Sequence, residues 1–302
     1  MKKFILRSLD YLISRILIII DIIFRKVFKW NQFLPRISDK IQTKQYYTKT
    51  IDDKQASFFC PSGTTLYRID SLYEKEPETL NWINNFEEYN EKKIIFWDIG
   101  ANIGLYSIYA GMKFKNIEII CFEPSTSNTR ALSRNISINN LYNKIKIFPL
   151  ALSDQENIIS FFNETKFGEG SSISSFNSEI NEVGNLLEKN KVKNKYNIYG
   201  TTIDYLITNN ILECPNYVKI DVDGIEHLIL NGAKQLLSNN NLRELSIEMN
   251  HGYTKQFNDI NKIMKDNGFK KVIETNARLL KNSNYKLKWN EPINAIFKRI
   301  IK

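Results

Sequence analysis

The chain has 302 residues, 42% hydrophobic and 25% charged, with a formal charge of +9. This composition excludes a disordered or fibrous chain and allows one large domain with an addition. Residues 1–30 hold seven basic side chains (Lys2, Lys3, Arg7, Arg15, Arg25, Lys26 and Lys29) against Asp10 and Asp21, so +5 of the charge sits there; a basic nucleic-acid-binding body is excluded.

The first element is a helix. Within residues 9–28, LDYLISRILIIIDIIFRKVF, the longest uncharged run is Ile16 to Ile20, far short of the roughly 18–20 residues a membrane span needs. No small-residue cleavage site follows, which argues against a signal peptide. Lys3, Arg7, Asp10, Ser14, Asp21, Arg25 and Lys29 recur at helical steps with Ile, Leu and Phe between them. The pattern is an amphipathic helix with a wide apolar face and a narrow basic one. Three destinations fit it: a membrane surface, the protein itself or a second copy, and, least well, a true span.

Residues 31–60 read as a connector and a small addition, with Pro35 and Pro61 as breakers. Residues 71–86 read as a helix after a short strand, with Leu80, Trp82, Ile83 and Phe86 on its apolar face. The expected divisions are therefore 1–30, 31–90 and 91–302.

From residue 94 apolar strands alternate with helices. Strands are expected at 94–98, 116–123, 144–152, 157–162, 216–223, 242–249, 269–275 and 292–300. Helices are expected at 104–112, 125–140 with Ser125 as N-cap, 201–207, 224–237, and 254–268 stopped by Gly268. Residues 163–185 lack periodicity and read as a long loop, a lid in functional terms. This order predicts an α/β fold with a mostly parallel sheet covered on both faces. Cys60, Cys121 and Cys214 lack paired spacing and read as reduced packing residues of a cytoplasmic protein. The abundance of Ile, Asn and Lys points to an AT-rich bacterial genome.

Ligands of such sheets lie at the carboxyl ends of the strands. One end is the elbow of residues 98–104, DIGANIG. Gly100 and Gly104 let the backbone turn and approach a ligand, and free N–H groups at the next helix start suit a carboxylate or a phosphate. Glu123 closes the second strand about 20 residues on, where a ribose-binding acid belongs. Ala151, Leu152 and Ser153 end the third strand, where an adenine fits between apolar groups. Together they describe an adenosine pocket. The G-x-G-x-x-G spelling of nicotinamide sites is missing, and Asp98 is ill-placed beside a pyrophosphate; S-adenosylmethionine, with a sulfonium, an ammonium and no phosphate, suits that acid better.

The motifs DIGANIGLYS (98–107), FEPSTSNTRAL (122–132), NISINN (135–140), ALSD (151–154), GSSIS (170–174), KIDVDGIEHLILNGA (219–233) and LSIEMN (245–250) resemble, in this order, those of the FkbM-type S-adenosylmethionine-dependent methyltransferases. Residues 73–86 also look like the segment preceding the core in that family. The resemblance implies a Rossmann-like class I methyltransferase over 91–302, with a seven-stranded sheet. It implies cofactor contacts from the matched motifs: Asp98, Gly100, Ala101, Asn102, Gly104, Tyr106, Ser107, Glu123, Pro124, Ser125, Ala151, Leu152 and Ser153. It implies methyl transfer to a hydroxyl of a sugar, glycan or polyketide. Asp223 departs from the pattern, standing where glutamate is commoner.

A weak hydroxyl nucleophile profits from a general base. The candidates are Asp221, Glu248 and His251; Asp223 reads equally as a helix cap, and Glu226 as a solvated helix residue. No ligand spacing calls for a metal. The expected function is O-methylation of a bacterial surface glycan or its precursor, with peripheral membrane contact through residues 1–30 at the inner face of the cell membrane. The alternatives are a nicotinamide-dependent oxidoreductase and a non-catalytic membrane-associated scaffold.

Overall fold

The computed structural model describes residues 2–87, 93–181, 183–281, 285, 286, 288 and 290–300. The chain divides into two compact units, Met1–Tyr46 and Tyr47–Lys302. In the first, helix α1 (Lys2–Val27) is followed by α2 (Phe33–Gln42). Asp21 falls on the sequence's polar stripe yet is buried: it pairs with Arg25 and accepts the Leu34 N–H at 3.3 Å. Phe24 stacks on Phe33 with ring centres 4.9 Å apart. The apolar stripe Leu12, Ile16, Ile19 and Ile23 is exposed. No helix among the described residues is long and apolar enough to cross a membrane.

The second unit opens with strands β1 (Tyr46–Ile51) and β2 (Lys54–Phe59), a two-stranded sheet turned through Asp52 and Asp53, both with positive φ. Helix α3 (Gly63–Asp70) follows, capped by Ser62. The expected helix over 71–86 is two, α4 (Leu72–Lys75) and α5 (Pro77–Asn84). Pro77 excludes Glu76 from helical geometry, and Glu76 adopts φ −138°.

The core follows: β3 (Ile94–Ile99), α6 (Leu105–Lys113), β4 (Ile117–Phe122), α7 (Thr126–Ile138) and β5 (Ile145–Phe148). Then come β6 (Ala151–Leu152), β7 (Ile158–Glu164), β8 (Ser174–Phe176), β9 (Asn194–Thr201), α8 (Ile203–Thr208) and β10 (Tyr217–Ile220). The chain ends with α9 (Glu226–Asn231), α10 (Lys234–Ser238), β11 (Glu244–Asn250), α11 (Thr254–Asp266), β12 (Phe269–Thr275), α12 (Ala277–Lys281) and β13 (Pro292–Arg299).

Seven strands form the main sheet in the order β12-β13-β11-β10-β3-β4-β5, with β13 antiparallel to its neighbours. All six residues of β3 are buried, so both faces are covered. Ile95, Trp97 and Ile99 join the core built with α8 to α11. Phe96 faces the other way, onto Trp82 and Phe86, and Asp98 lies on that same face. Between β3 and β10 the strand order reverses, which opens a crevice at their carboxyl ends.

Four expectations change. The strand of 144–152 breaks at Pro149, which has no N–H for the ladder; β5 stays in the main sheet and β6 enters a second sheet, ordered β6-β9-β7-β8. The long loop of 163–185 contributes the end of β7 and all of β8. Strand β9, for which no element was expected, pairs antiparallel with β7. The helix of 224–237 starts later, because Asp223 and Gly224 hold positive φ, and it divides into α9 and α10 where Ala233, at φ −130°, leaves helical geometry. All three cysteines are buried and free.

The NISINN motif ties the lead-in segment to the core. Asn135 accepts the Phe59 N–H and donates to the Ile103 carbonyl, both at 2.7 Å, and is fully buried. Asn139 holds both backbone groups of Ser57. Asn135→Ala strands two buried backbone groups and is expected to cost roughly 2–4 kcal/mol, read as a lower urea midpoint with an unchanged slope.

Candidate active site

The elbow after β3 is built by close backbone approach. Gly100 has φ +83°, and a Cβ there would lie 1.9 Å from the Asp221 carbonyl oxygen. The tips of β3 and β10 therefore touch without room for a side chain. Asn102 also takes positive φ, 53°. Gly104, at φ +83°, precedes α6.

Glu123 clamps this elbow from the tip of β4. Its Oε2 accepts the Asn102 N–H at 2.7 Å and its Oε1 accepts the Ser125 N–H at 2.9 Å. Burial pushes its pKa up to about 7, against the pull of those donors. Asp98 is buried deeper; Ser107 donates to its Oδ2 at 2.6 Å. Its Oδ1 is buried with no hydrogen-bond partner among the described residues, and burial raises its pKa, opposed by Lys219.

A cavity of about 320 Å³ lies at these strand tips, within the range of small-ligand pockets. Gly100, Asn102, Glu123 and Pro124 line one end, with Ala151 and Leu152 beside them. Asp221 and Glu248 line it from β10 and β11. Ala101 and Tyr106 instead border a smaller void of about 30 Å³ with Gly100, Lys219 and Asp221. Asp98, Gly104, Ser107, Ser125 and Ser153 stand behind the wall rather than in it. Ser125 caps α7 and donates to Glu164 at 2.6 Å.

His251 lies apart from this set. β11 presents Glu248, Met249 and Asn250 to the cavity, whereas His251 lies in the turn beyond the strand and does not line it. Its Nε2 pairs with Glu274 Oε1 at 3.0 Å and its ring rests on Phe257. Asp223 does not cap α9; its Oδ2 accepts the N–H groups of Ile173 and Ser174, at 2.9 and 3.1 Å. Glu226 is fully buried rather than solvated, and it accepts from Val222 and Gly224.

The GSSIS segment is strapped across the elbow. Asn102 and Asn128 both donate to the Ser171 carbonyl, at 2.8 and 3.1 Å, and Arg68 donates to that of Gly170. Ser171 and Ser172 line the cavity.

Sequence reasoning missed Lys219, Glu76, Glu78 and Asn294. Lys219 is 2% exposed and meets Asp221 Oδ2 at 2.5 Å. Burial works against its charge, but Asp221, Glu76 and Asp98 outweigh it and raise the Lys219 pKa. Asp221 also overcomes burial, because Lys219 and Lys75 lower it to about 2. Burial, then Asp221, Glu226 and Asp223, push Glu248 well above the usual carboxylate range. A lysine inside the apolar run of 217–220 was a legible signal; Glu76, Glu78 and Asn294 offered none. Among the described residues no group of three or more His, Cys, Asp or Glu is placed to hold a metal.

The site fits S-adenosylmethionine on two observations: the side-chain-free approach at Gly100, and a cavity of matching size with Glu123 at its rim.

Burial raises both Glu123 and Glu226 from 4.5 to about 7. Between those values the folded state holds more protons than the unfolded one, so stability falls as pH rises across that window. Urea titrations from pH 4.5 to 7 are expected to show falling midpoints, with a shallower slope in Glu226→Gln.

The methyltransferase FkbM domain model matches residues 98–271, more than half of the chain. Methyltransferase sdnD of Sordaria araneosa is 39% identical over 56 residues, which cover 18% of this chain and 22% of that protein. A methyltransferase FkbM structure from Methylobacillus flagellatus is 13% identical, with a TM-score of 0.44, over 89% of this chain and 60% of that one. Streptococcus pneumoniae Sp1610 in complex with S-adenosyl-L-methionine is 12% identical, with a TM-score of 0.41, over 74% and 72%. With the family model matched across the elbow, Glu123 and the tips of β10 and β11, the nicotinamide alternative falls away, and the chain belongs to the FkbM family of S-adenosylmethionine-dependent methyltransferases.

Proposed function

We propose that this protein is an O-methyltransferase acting on a hydroxyl of an uncharged sugar, in a bacterial surface glycan or its precursor. The charge of the cavity supports this reading. Among the described residues six acidic side chains line it (Glu76, Glu78, Glu123, Asp221, Asp223 and Glu248) against two cations, Arg68 and Lys75, and neighbouring lysines hold Glu76 and Asp221 ionised against the pull of burial. Such a wall repels phosphate and carboxylate groups and suits neutral hydroxyls.

S-adenosylmethionine, when bound, supplies an activated methyl group, so the protein's task is alignment and proton removal. Glu123 and the Gly100 elbow form the cofactor wall. Asp221, held ionised by Lys219, gives the middle of the cavity a lasting negative charge that suits a cationic donor. Glu248 is the general base: its raised pKa makes it a stronger base toward a hydroxyl proton once ionised. The GSSIS strap shields the elbow from water.

The first helix gives the membrane part of the proposal. Leu12, Ile16, Ile19 and Ile23 form an exposed apolar stripe, and Arg25, Lys26 and Lys29 follow at its end. An apolar stripe with adjacent basic charge suits an anionic lipid surface, which supports attachment at the cytoplasmic face of a membrane. Protein lacking residues 1–30 is expected to stop floating with anionic vesicles; unchanged flotation rejects this attachment.

The central test is methyl transfer from labelled S-adenosylmethionine to neutral glycosides, alongside mass spectrometry of surface glycans from cells with and without the protein. A methyl difference on one sugar is expected. Glu248→Gln is expected to lower kcat by roughly 10²–10⁴-fold while keeping S-adenosylhomocysteine affinity. Wild-type activity should rise with pH as Glu248 loses its proton. Transfer only to anionic acceptors would refute the proposal.

A further inference from the structure

Glu78 borders the cavity from α5 and is 4% exposed. Asn294 donates to its Oε1 at 2.8 Å. Its Oε2 is buried with no hydrogen-bond partner among the described residues. A buried carboxylate oxygen left open is costly and calls for a ligand. Neighbouring acids differ in this respect. Glu76 meets Lys75 and Thr79, Glu123 meets two N–H groups, and Asp221 meets Lys219.

Asn294 also fixes where Glu78 stands. In the antiparallel pairing of β11 with β13, Asn294 lies directly opposite Glu248. Directly paired residues share one face of the sheet, with Cβ atoms about 5 Å apart. Asn294 thus has Glu248 on one side and, through its amide, Glu78 on the other. Two carboxylates flanking one amide can meet two hydroxyls of a single small molecule. Both Glu78 and Asn294 fall outside residues 98–271, the span of the family match.

We infer that Glu78 is a specificity-determining residue whose Oε2 accepts a hydrogen bond from a second hydroxyl of the acceptor, next to the one methylated. The acceptor is then a neutral molecule with at least two neighbouring hydroxyls. This inference rests on the hydroxyl-acceptor reading above and on Glu248 facing the methylated oxygen. Burial raises the Glu78 pKa, with Asn294 opposing, so the group suits a hydroxyl better than a cation.

The test uses full-length protein saturated with S-adenosylhomocysteine. Methyl α-glucoside, α-mannoside and α-galactoside, with their monodeoxy analogues, are titrated and binding is read by saturation-transfer NMR. Wild-type protein is expected to bind at least one glycoside and to lose affinity when one particular hydroxyl is removed. Glu78→Gln keeps the Asn294 contact through its carbonyl oxygen but replaces Oε2 with a donor. It is expected to weaken that glycoside about tenfold, to leave the matching deoxy analogue unaffected, and to keep S-adenosylhomocysteine affinity within twofold. Should Glu78→Gln fail to fold, Glu78→Asp carries the same comparison, because it keeps the charge but draws the carboxylate back from the hydroxyl by one methylene. Equal glycoside affinity in wild type and variant overturns the inference and leaves the hydroxyl-acceptor reading standing. Parallel loss of S-adenosylhomocysteine affinity marks Glu78 as structural and overturns it too. Wild-type protein that binds no glycoside overturns both.

Discussion

A buried ammonium organises the centre of this molecule. Lys219 sits in β10 beside Asp98 of β3, in register, and only Ile220 separates it from Asp221 just past the strand's end. Removing that charge from water is costly, and only several carboxylates together offset it. Asp221, Glu76 and Asp98 fill this role, drawn from three separate elements. The arrangement makes the strand tips mutually dependent. Asp221 stays ionised because Lys219 is beside it, and Lys219 stays charged because the lead-in segment brings Glu76.

The same junction explains the two characters of the cavity. At the elbow end, backbone meets backbone: Gly100 abuts Asp221, and Glu123 binds the N–H groups of Asn102 and Ser125. That end is preorganised and leaves little freedom for its glycine. At the other end, side chains from α5, β11 and β13 meet across long stretches of chain. Carboxylates there are raised by burial and by one another, as Glu248 is by Asp221, Glu226 and Asp223. Backbone geometry therefore shapes the elbow end, and charge and hydrogen bonding shape the other.

The parts of the site that are local in sequence were legible. Residues 98–107 and 122–132 each carry a strand end, a turn and a helix start in one continuous run, so their placement follows from chain continuity. His251 misled because β11 ends at Asn250, and the turn that follows carries the ring onto Glu274 and Phe257. The second sheet was hidden for a different reason. Strand β9 alternates half-buried and exposed residues until its buried last two, and its partner β7 lies some 30 residues earlier, across a segment rich in Gly, Ser and Asn. Pro149 was visible as a breaker, but not the transfer of Ala151 and Leu152 to another sheet.

Taken alone, the amino-acid order determined the strand-and-helix alternation, the glycine elbow, the acid at residue 123 and the amphipathic first helix. These depend on periodicity and on the conformational freedom of glycine, which act over a few residues. The tertiary structure alone decided which acids share a cavity and in which charge state. Glu78 and Asn294 are 216 residues apart in sequence yet share a hydrogen bond. Burial and distance set a pKa, and neither exists until the sheet has brought the strand tips together.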